Sequence, residues 1–197
     1  PVNLSAMSNH ARQRSEEFLK IADQFKLGAL VTESSHPATA SLSETTRGDI
    51  ASGLRQLFDV DEDVMGMYRE FALSGRAASM AQTVLRALER GGKMFFTGCG
   101  STGRLSIQLV SIWRDFWQQQ RARGLECQPR PEAWENRAFS VMAGGDFALI
   151  KAVEGFEDFT AFGNKQIGDL EVASGDVVFA ITEGGETSFV IGTAWRG

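Results

Sequence analysis

Three short apolar runs in the second half of the chain, MFFTG (94–98), AFSVMAG (138–144) and VVFAIT (177–182), constrain its fold more than any other feature. Each ends in glycine or hydroxyl residues, and helical segments lie between them. Strands that are apolar on both faces and alternate with helices are the pattern of a parallel sheet with right-handed crossovers, covered by helices. The expected fold class is therefore α/β, a doubly wound parallel sheet preceded by N-terminal helices. A helix from about Thr102 to Gln120 and a polar surface excursion, RARGLECQPRPEAWENR, separate the first two strands. The sequence stops at Gly197 as a helix after the third strand gets under way, and the C-terminal part of the sheet is expected to be missing from it.

The first half reads as helical. Phe18, Leu19, Ala22 and Phe25 recur at helical spacing between Arg12 and Leu27, with Gly28 as the stop. LVTESSHPATASLSETT carries Pro37 and many hydroxyls without a helical period, which predicts an ordered loop before a short helix near Asp49 to Phe58. A longer helix follows: Asp61, Glu62 and Asp63 suit a helix N-terminus, and Val64, Met67, Phe71, Ala78, Ala81, Leu85 and Leu88 form one stripe, expected to face a core, that ends at Gly91 and Gly92. The domain reading is a helical extension over 1–60 and the α/β domain over 61–197.

Composition excludes several function classes. A chain of 197 residues that is 43% hydrophobic can bury one sizeable core. Its formal net charge of −5 creates no field for nucleic acid or an anionic membrane, so a bound anion must be held by local donors. Cys99, Cys127, His10 and His36 form no metal-ligand motif, and no metal is expected. PVNLSAMSNHARQRSEE lacks an apolar signal core, and no run of about 18 apolar residues occurs, which predicts a cytoplasmic protein. The absent initiator Met reads as a processed or trimmed start.

In an open parallel sheet, ligands sit at the carboxyl ends of the strands, where loops meet helix N-termini whose amides attract anions. TGCGSTGR (97–104) occupies that position after the first strand, with Ser101 and Thr102 offering hydroxyls between Gly100 and Gly103. Phosphate is the natural guest; the bland alternative is a glycine turn with Ser101 as an ordinary N-cap. A dinucleotide fingerprint also needs an acidic residue about 20 positions on, at the end of the second strand. That strand ends in MAGG, Asp115 falls within the crossover helix, and Asp146 is better placed to cap the next one. No nucleotide or other cofactor is therefore expected. TEGGETS (182–188) is a second loop of the same kind, with Thr182, Thr187 and Ser188 as hydroxyls, Gly184 and Gly185 for a tight backbone, and Glu183 between them.

Together these loops resemble those of the sugar isomerase (SIS) domain, which grips a sugar phosphate with Ser and Thr residues from two strand-to-helix loops; the commoner form of the second loop is SQSGET, so Gly184 stands where a serine often helps to bind phosphate. LVTESSHPATASL, FFTGCGSTGRLS, MAGGDFALIKAVEGFEDFTAFG and GDVVFAITEGGETSFVIG, in that order, are similar to the N-acetylmuramic acid 6-phosphate etherases and their relative, the glucokinase regulatory protein. That resemblance implies a three-layer αβα fold and a homodimer whose N-terminal helices pack between subunits. It implies a phosphosugar ligand held by Gly100, Ser101, Thr102, Gly103, Thr182, Glu183, Gly184, Thr187 and Ser188, with Glu154 of AVEG as the base that removes the C2 proton so that lactate leaves C3. A carboxylate there fits the chemistry if partial burial raises its pKa into a base's range.

The etherases carry a second acid, in the helix after the first loop, that protonates the leaving group. Ile112 stands at that position, and isoleucine donates no proton. In this the sequence looks more like the regulatory protein, which binds phosphosugars without turning them over. Two readings stay open, an etherase-like or isomerase-like enzyme using Glu154 and a non-catalytic phosphosugar sensor, with Glu183 and Asp115 as possible substitute acids. Trp113, Phe116, Trp117 and Trp134 read as core or subunit interface, with sugar stacking as the alternative. Arg104 either steers the phosphate or pairs with a surface acid. Glu33 and His36 belong to a segment in which the family usually has Asn in place of His36, without an assigned role.

Overall fold

The computed structural model describes residues 9–22, 31–124, 131–153 and 155–197. The chain falls into two compact units, Pro1–Val64 and Met65–Gly197.

In the first unit, α1 (Asn9–Leu19) buries none of its residues, and Phe18 and Leu19 are exposed. The expected continuation through Phe25 to Gly28 lies outside the described residues. The segment read as a loop is partly helical, with 3-10 turns at Val31–Glu33 and Pro37–Thr39 and a helix α2 (Leu42–Gly48). Local caps explain what periodicity did not reveal. Extended His36 accepts the Ala38 amide on Nδ1 at 3.2 Å, and Pro37 presets the first turn. The same imidazole places Nε2 3.2 Å from Asp63, which gives His36 a local structural task.

Extended Asp49 separates α2 from α3 (Ile50–Leu73) and caps the latter, accepting from the Ser52 hydroxyl at 2.6 Å and from the amides of Ala51 and Ser52. Those bonds, the Ser52 hydroxyl foremost, hold its carboxyl below the ordinary carboxylate range. The expected short helix and the first part of the longer one are thus a single α3, and the division between the units falls within it. The expected long helix is instead broken after Leu73, where Gly75 adopts φ +76 ahead of α4 (Arg76–Glu89). The stripe does not face a core along its length. Val64, Met67 and Phe71 are exposed, and burial is reached only near the end of α4, at Leu88, where that helix meets the sheet.

The second unit is an α/β layer structure around β1 (Met94–Gly98), β2 (Ala138–Met142) and β3 (Val177–Ala180). The strands form a parallel sheet in the order β2-β1-β3, with Met94 opposite both Ala138 and Val177. Between β1 and β2 run α5 (Gly100–Ala122) and α6 (Pro131–Glu135); α7 (Phe147–Ile150) and α8 (Thr160–Gly168) follow β2, and α9 (Ser188–Arg196) follows β3. Alternation along β1 builds two cores. Phe95 joins Val141, Ile167, Phe189 and Val190 on the face covered by α8 and α9. Met94 joins Val110, Leu88 and Ala138 on the face covered by α4 and α5, with Phe96, Trp113 and Trp134 packed beside them.

At the amino edge, the Lys93 amide donates to Asp176 at 2.8 Å, and its ammonium donates to the carbonyls of Leu170 and Glu171. This clasp fixes β3 against β1 at one end and leaves the other to the loops. Trp117 is buried, with edge contacts to Trp113, Phe116 and Trp134, while Trp113 donates its indole N–H to the Trp134 carbonyl at 2.8 Å. Trp117 is core, Trp113 and Trp134 are partly buried against it, and Phe116 is exposed at the margin.

Candidate functional site

The sheet order creates one special place. β1 and β3 are neighbours and parallel, so their carboxyl ends open on the same edge. From Gly98 the chain turns into α5 on one face, and from Ala180 it passes through 181–187 into α9 on the other. A crevice between strands whose connections diverge in this way is the topological switch point of a doubly wound sheet, where ligands bind. Both sequence-selected loops flank it, with the N-termini of two helices beside them.

The first loop owes its shape to its glycines. Gly100 adopts φ +50 with open space around it, a backbone conformation that L side chains rarely adopt. Gly103 lies so close to the strands that a Cβ would stand 2.6 Å from Met142 Cγ and 3.0 Å from the Gly98 carbonyl oxygen, so α5 starts flush against the sheet. The helix begins at Gly100, earlier than the sequence pattern indicates, and its N-cap is extended Cys99, not Ser101. Ser101 is therefore released from the capping role that was its bland alternative. It is exposed, its hydroxyl makes no hydrogen bond among the described residues, and neither its amide nor that of Gly100 has a backbone partner among them.

Thr102 is different. Its hydroxyl accepts the Cys99 amide at 3.0 Å and donates to the Cys99 carbonyl at 2.8 Å, which locks the first turn of α5. In the second loop the hydroxyls of Thr182 and Thr187 lie 3.0 Å apart, and Gly185 takes φ +79. Thr187 is the N-cap of α9, and Ser188, its first residue, has a half-buried side chain without a hydrogen bond among the described residues. The structure thus brings all five hydroxyl residues to the strand ends, three threonines engaged with their own loops and two serines free. Gly184 is half-buried in the second loop, and Glu183 is exposed.

Beneath the loops, Thr97 and Thr193 are both 0% exposed, and their hydroxyls lie 2.7 Å apart. Thr193 also donates to the Val190 carbonyl at 2.7 Å. Cys99 is half-buried; burial first, and the nearby Glu157 charge second, push its thiol up to about 11. Glu157 is a residue that sequence reading overlooked. Its charge is felt at Cys99, and its carbonyl accepts the Phe189 amide at 2.9 Å in the first turn of α9, so it borders both loops. The available signal was a second acid three positions after Glu154 in AVEGFED.

Glu154 itself lies outside the described residues. Ile112 is on α5 with 56% of its surface exposed, and Asp115 is an exposed residue of the same helix. Arg104 is exposed and forms no ion pair among the described residues, so the expected pairing with a surface acid is not found.

The sheet, both loops and the helices from α4 up to the greater part of α9 fall within the stretch 76–194, which matches the family described as the glucokinase regulatory protein N-terminal SIS domain. The chain belongs to that family. The similarity of this SIS domain to curated proteins extends to N-acetylmuramic acid 6-phosphate etherases. Those of Yersinia pestis (strain Pestoides F) and Yersinia pseudotuberculosis (serotype O:1b, strain IP 31758) are each 31% identical to it over 166 residues, 84% of this chain and 50% of theirs. The chain spans about half the length of the curated relatives it matches.

Proposed function

We propose that this SIS domain binds a hexose or amino-sugar 6-phosphate at the switch point between β1 and β3. The observation that carries the proposal is the delivery of two hydroxyl-rich loops, each opening a helix, to the carboxyl ends of two adjacent parallel strands on diverging chain paths. Ser101 and Ser188 supply hydroxyl donors, the amides of Gly100 and Ser101 add backbone donors, and Gly103 and Gly184 keep the loops close to the phosphate. Thr102, Thr182 and Thr187 shape the loops and complete the polar wall. Glu183 lies at the rim.

Glu154 acts as the base that takes the sugar C2 proton, in an etherase-like lyase or an isomerase. A second reading, a sensor that binds the phosphosugar without converting it, is favoured by the exposed Ile112 at the family's acid position. The resemblance further supports a homodimer and a cytoplasmic location. The exposed Met67, Tyr68 and Phe71 on α3 fit a subunit contact, to be checked by sedimentation of the wild type against M67E/F71E.

Calorimetric titration with N-acetylmuramic acid 6-phosphate, glucosamine 6-phosphate and fructose 6-phosphate tests the site. S101A/S188A should weaken binding by about 3–6 kcal/mol, the loss of two charge-assisted hydrogen bonds. Unchanged affinity would remove these loops from the site. Exchange of the C2 proton with D2O separates the two readings: turnover-linked exchange that E154Q abolishes supports the enzyme, and binding without exchange in the wild type supports the sensor.

A further inference from the structure

The two loops that make the site are held together by a hydroxyl relay that joins Thr97, at the head of the first motif, to Thr193, which lies outside the second. Thr193 donates to the Val190 carbonyl at 2.7 Å, which leaves its oxygen to accept the hydrogen of Thr97, also at 2.7 Å. The chain Thr97–Thr193–Val190 therefore runs from the last turn-facing position of β1, beside Gly98, to the first turn of α9, two residues from Ser188. Both side chains are completely buried in a layer that is otherwise apolar, built from Phe95, Val141, Ile167, Phe189 and Val190. Apolar packing is non-directional and tolerates rotation of α9 about its axis, whereas a hydrogen-bonded relay accepts a narrow range of distance and angle. Rotation of α9 would swing Ser188 and the adjoining loop relative to Ser101.

We infer that Thr97 and Thr193 are positioning residues that set the spacing and rotation of the two phosphate-binding loops. The inference rests on the proposed phosphosugar site and adds what aligns its two walls. Sequence alone does not mark the pair: Thr97 reads as part of an apolar strand, and Thr193 as an ordinary helix residue 96 positions away.

The test is the double variant T97V/T193V, which keeps side-chain shape and avoids leaving a single buried hydroxyl without a partner, since replacing both partners together is close to neutral for folding. T97S/T193S, which retains the hydroxyls, is the control. With glucosamine 6-phosphate as the probe, T97V/T193V should bind about tenfold more weakly than the wild type with little change in melting temperature, and T97S/T193S should recover most of that loss. Equal binding by the valine variant, or a serine variant as weak as the valine one, would overturn the inference.

Amide hydrogen exchange without ligand reads the coupling independently. Faster exchange in T97V/T193V at both 99–102 and 188–191 supports it, and unchanged exchange at either segment overturns it. A wild type that binds no phosphorylated sugar would sink the proposed function; the exchange result would still decide whether the relay aligns the loops.

Discussion

At the residue scale, the environment of Cys99 makes a pH prediction. Its thiol is pushed up to about 11 from an ordinary 9.0 by burial and the Glu157 charge. The unfolded chain loses this proton at lower pH than the folded one. The contribution of Cys99 is thus fully present below about pH 9 and lost as pH rises towards 11, because the unfolded state then binds fewer protons. Alkylation by iodoacetamide should accordingly be slow at neutral pH, and E157Q should speed it at pH 9–10. Equal rates in both proteins would place the Glu157 carboxylate away from the loop. This contact also shows where sequence reading stops. Cys99 was legible as a residue inside the turn, but Glu157 reaches the same place from a segment 58 positions on, and no local pattern encodes that meeting. Thr97 and Thr193 escaped for the same reason.

At the scale of elements, the strands were the most legible part. Short apolar runs bounded by glycine and hydroxyl residues left little freedom, and MFFTG coincides with β1 residue for residue. The helices preceding them were less so, because an apolar stripe shows periodicity and not what covers it. Val64, Met67 and Phe71 carry that period yet are exposed, and the break before α4 is set by the left-handed backbone of Gly75, which the stripe passes over. Packing of α8 against α9 offers a measurable case. A Cβ on Gly192 would collide with the Thr160 carbonyl, and one on Gly163 with the Phe189 carbonyl, so the two backbones touch where the helices cross. Gly192→Ala should therefore cost about 3 kcal/mol, read as a lowered urea midpoint. Gly66→Ala makes the opposite case, since this α3 glycine has nothing within 4 Å, and alanine there should add about 0.5–1 kcal/mol. A similar response at both positions would mean that intrinsic helix propensity, not the crossing, governs Gly192.

For the whole molecule, fold class follows from the alternation of strands and helices, whereas the order β2-β1-β3 does not: short apolar strands state that they are buried and leave open which one lies in the middle. That order decides where the candidate site lies. A ligand bound there touches only the native state and should raise the melting temperature. At a concentration of 100 times its dissociation constant, the expected gain is about 2.7 kcal/mol, or about 5–10 °C for a chain of this size. A rise with phosphorylated sugars and none with their unphosphorylated forms or NAD is the expected pattern in a thermal-shift titration. A rise with NAD alone would return TGCGSTGR to the dinucleotide class.

The arrangement also has a temporal side. One wall of the crevice is complete once β1 and α5 have formed, but the other comes from α9, joined to β1 by a contact spanning 96 residues. Closing so long a loop precedes any reward from the contact, which makes such pairings slow to form. A growing chain emerging from the ribosome therefore holds half a crevice until its residues near 193 are free to dock.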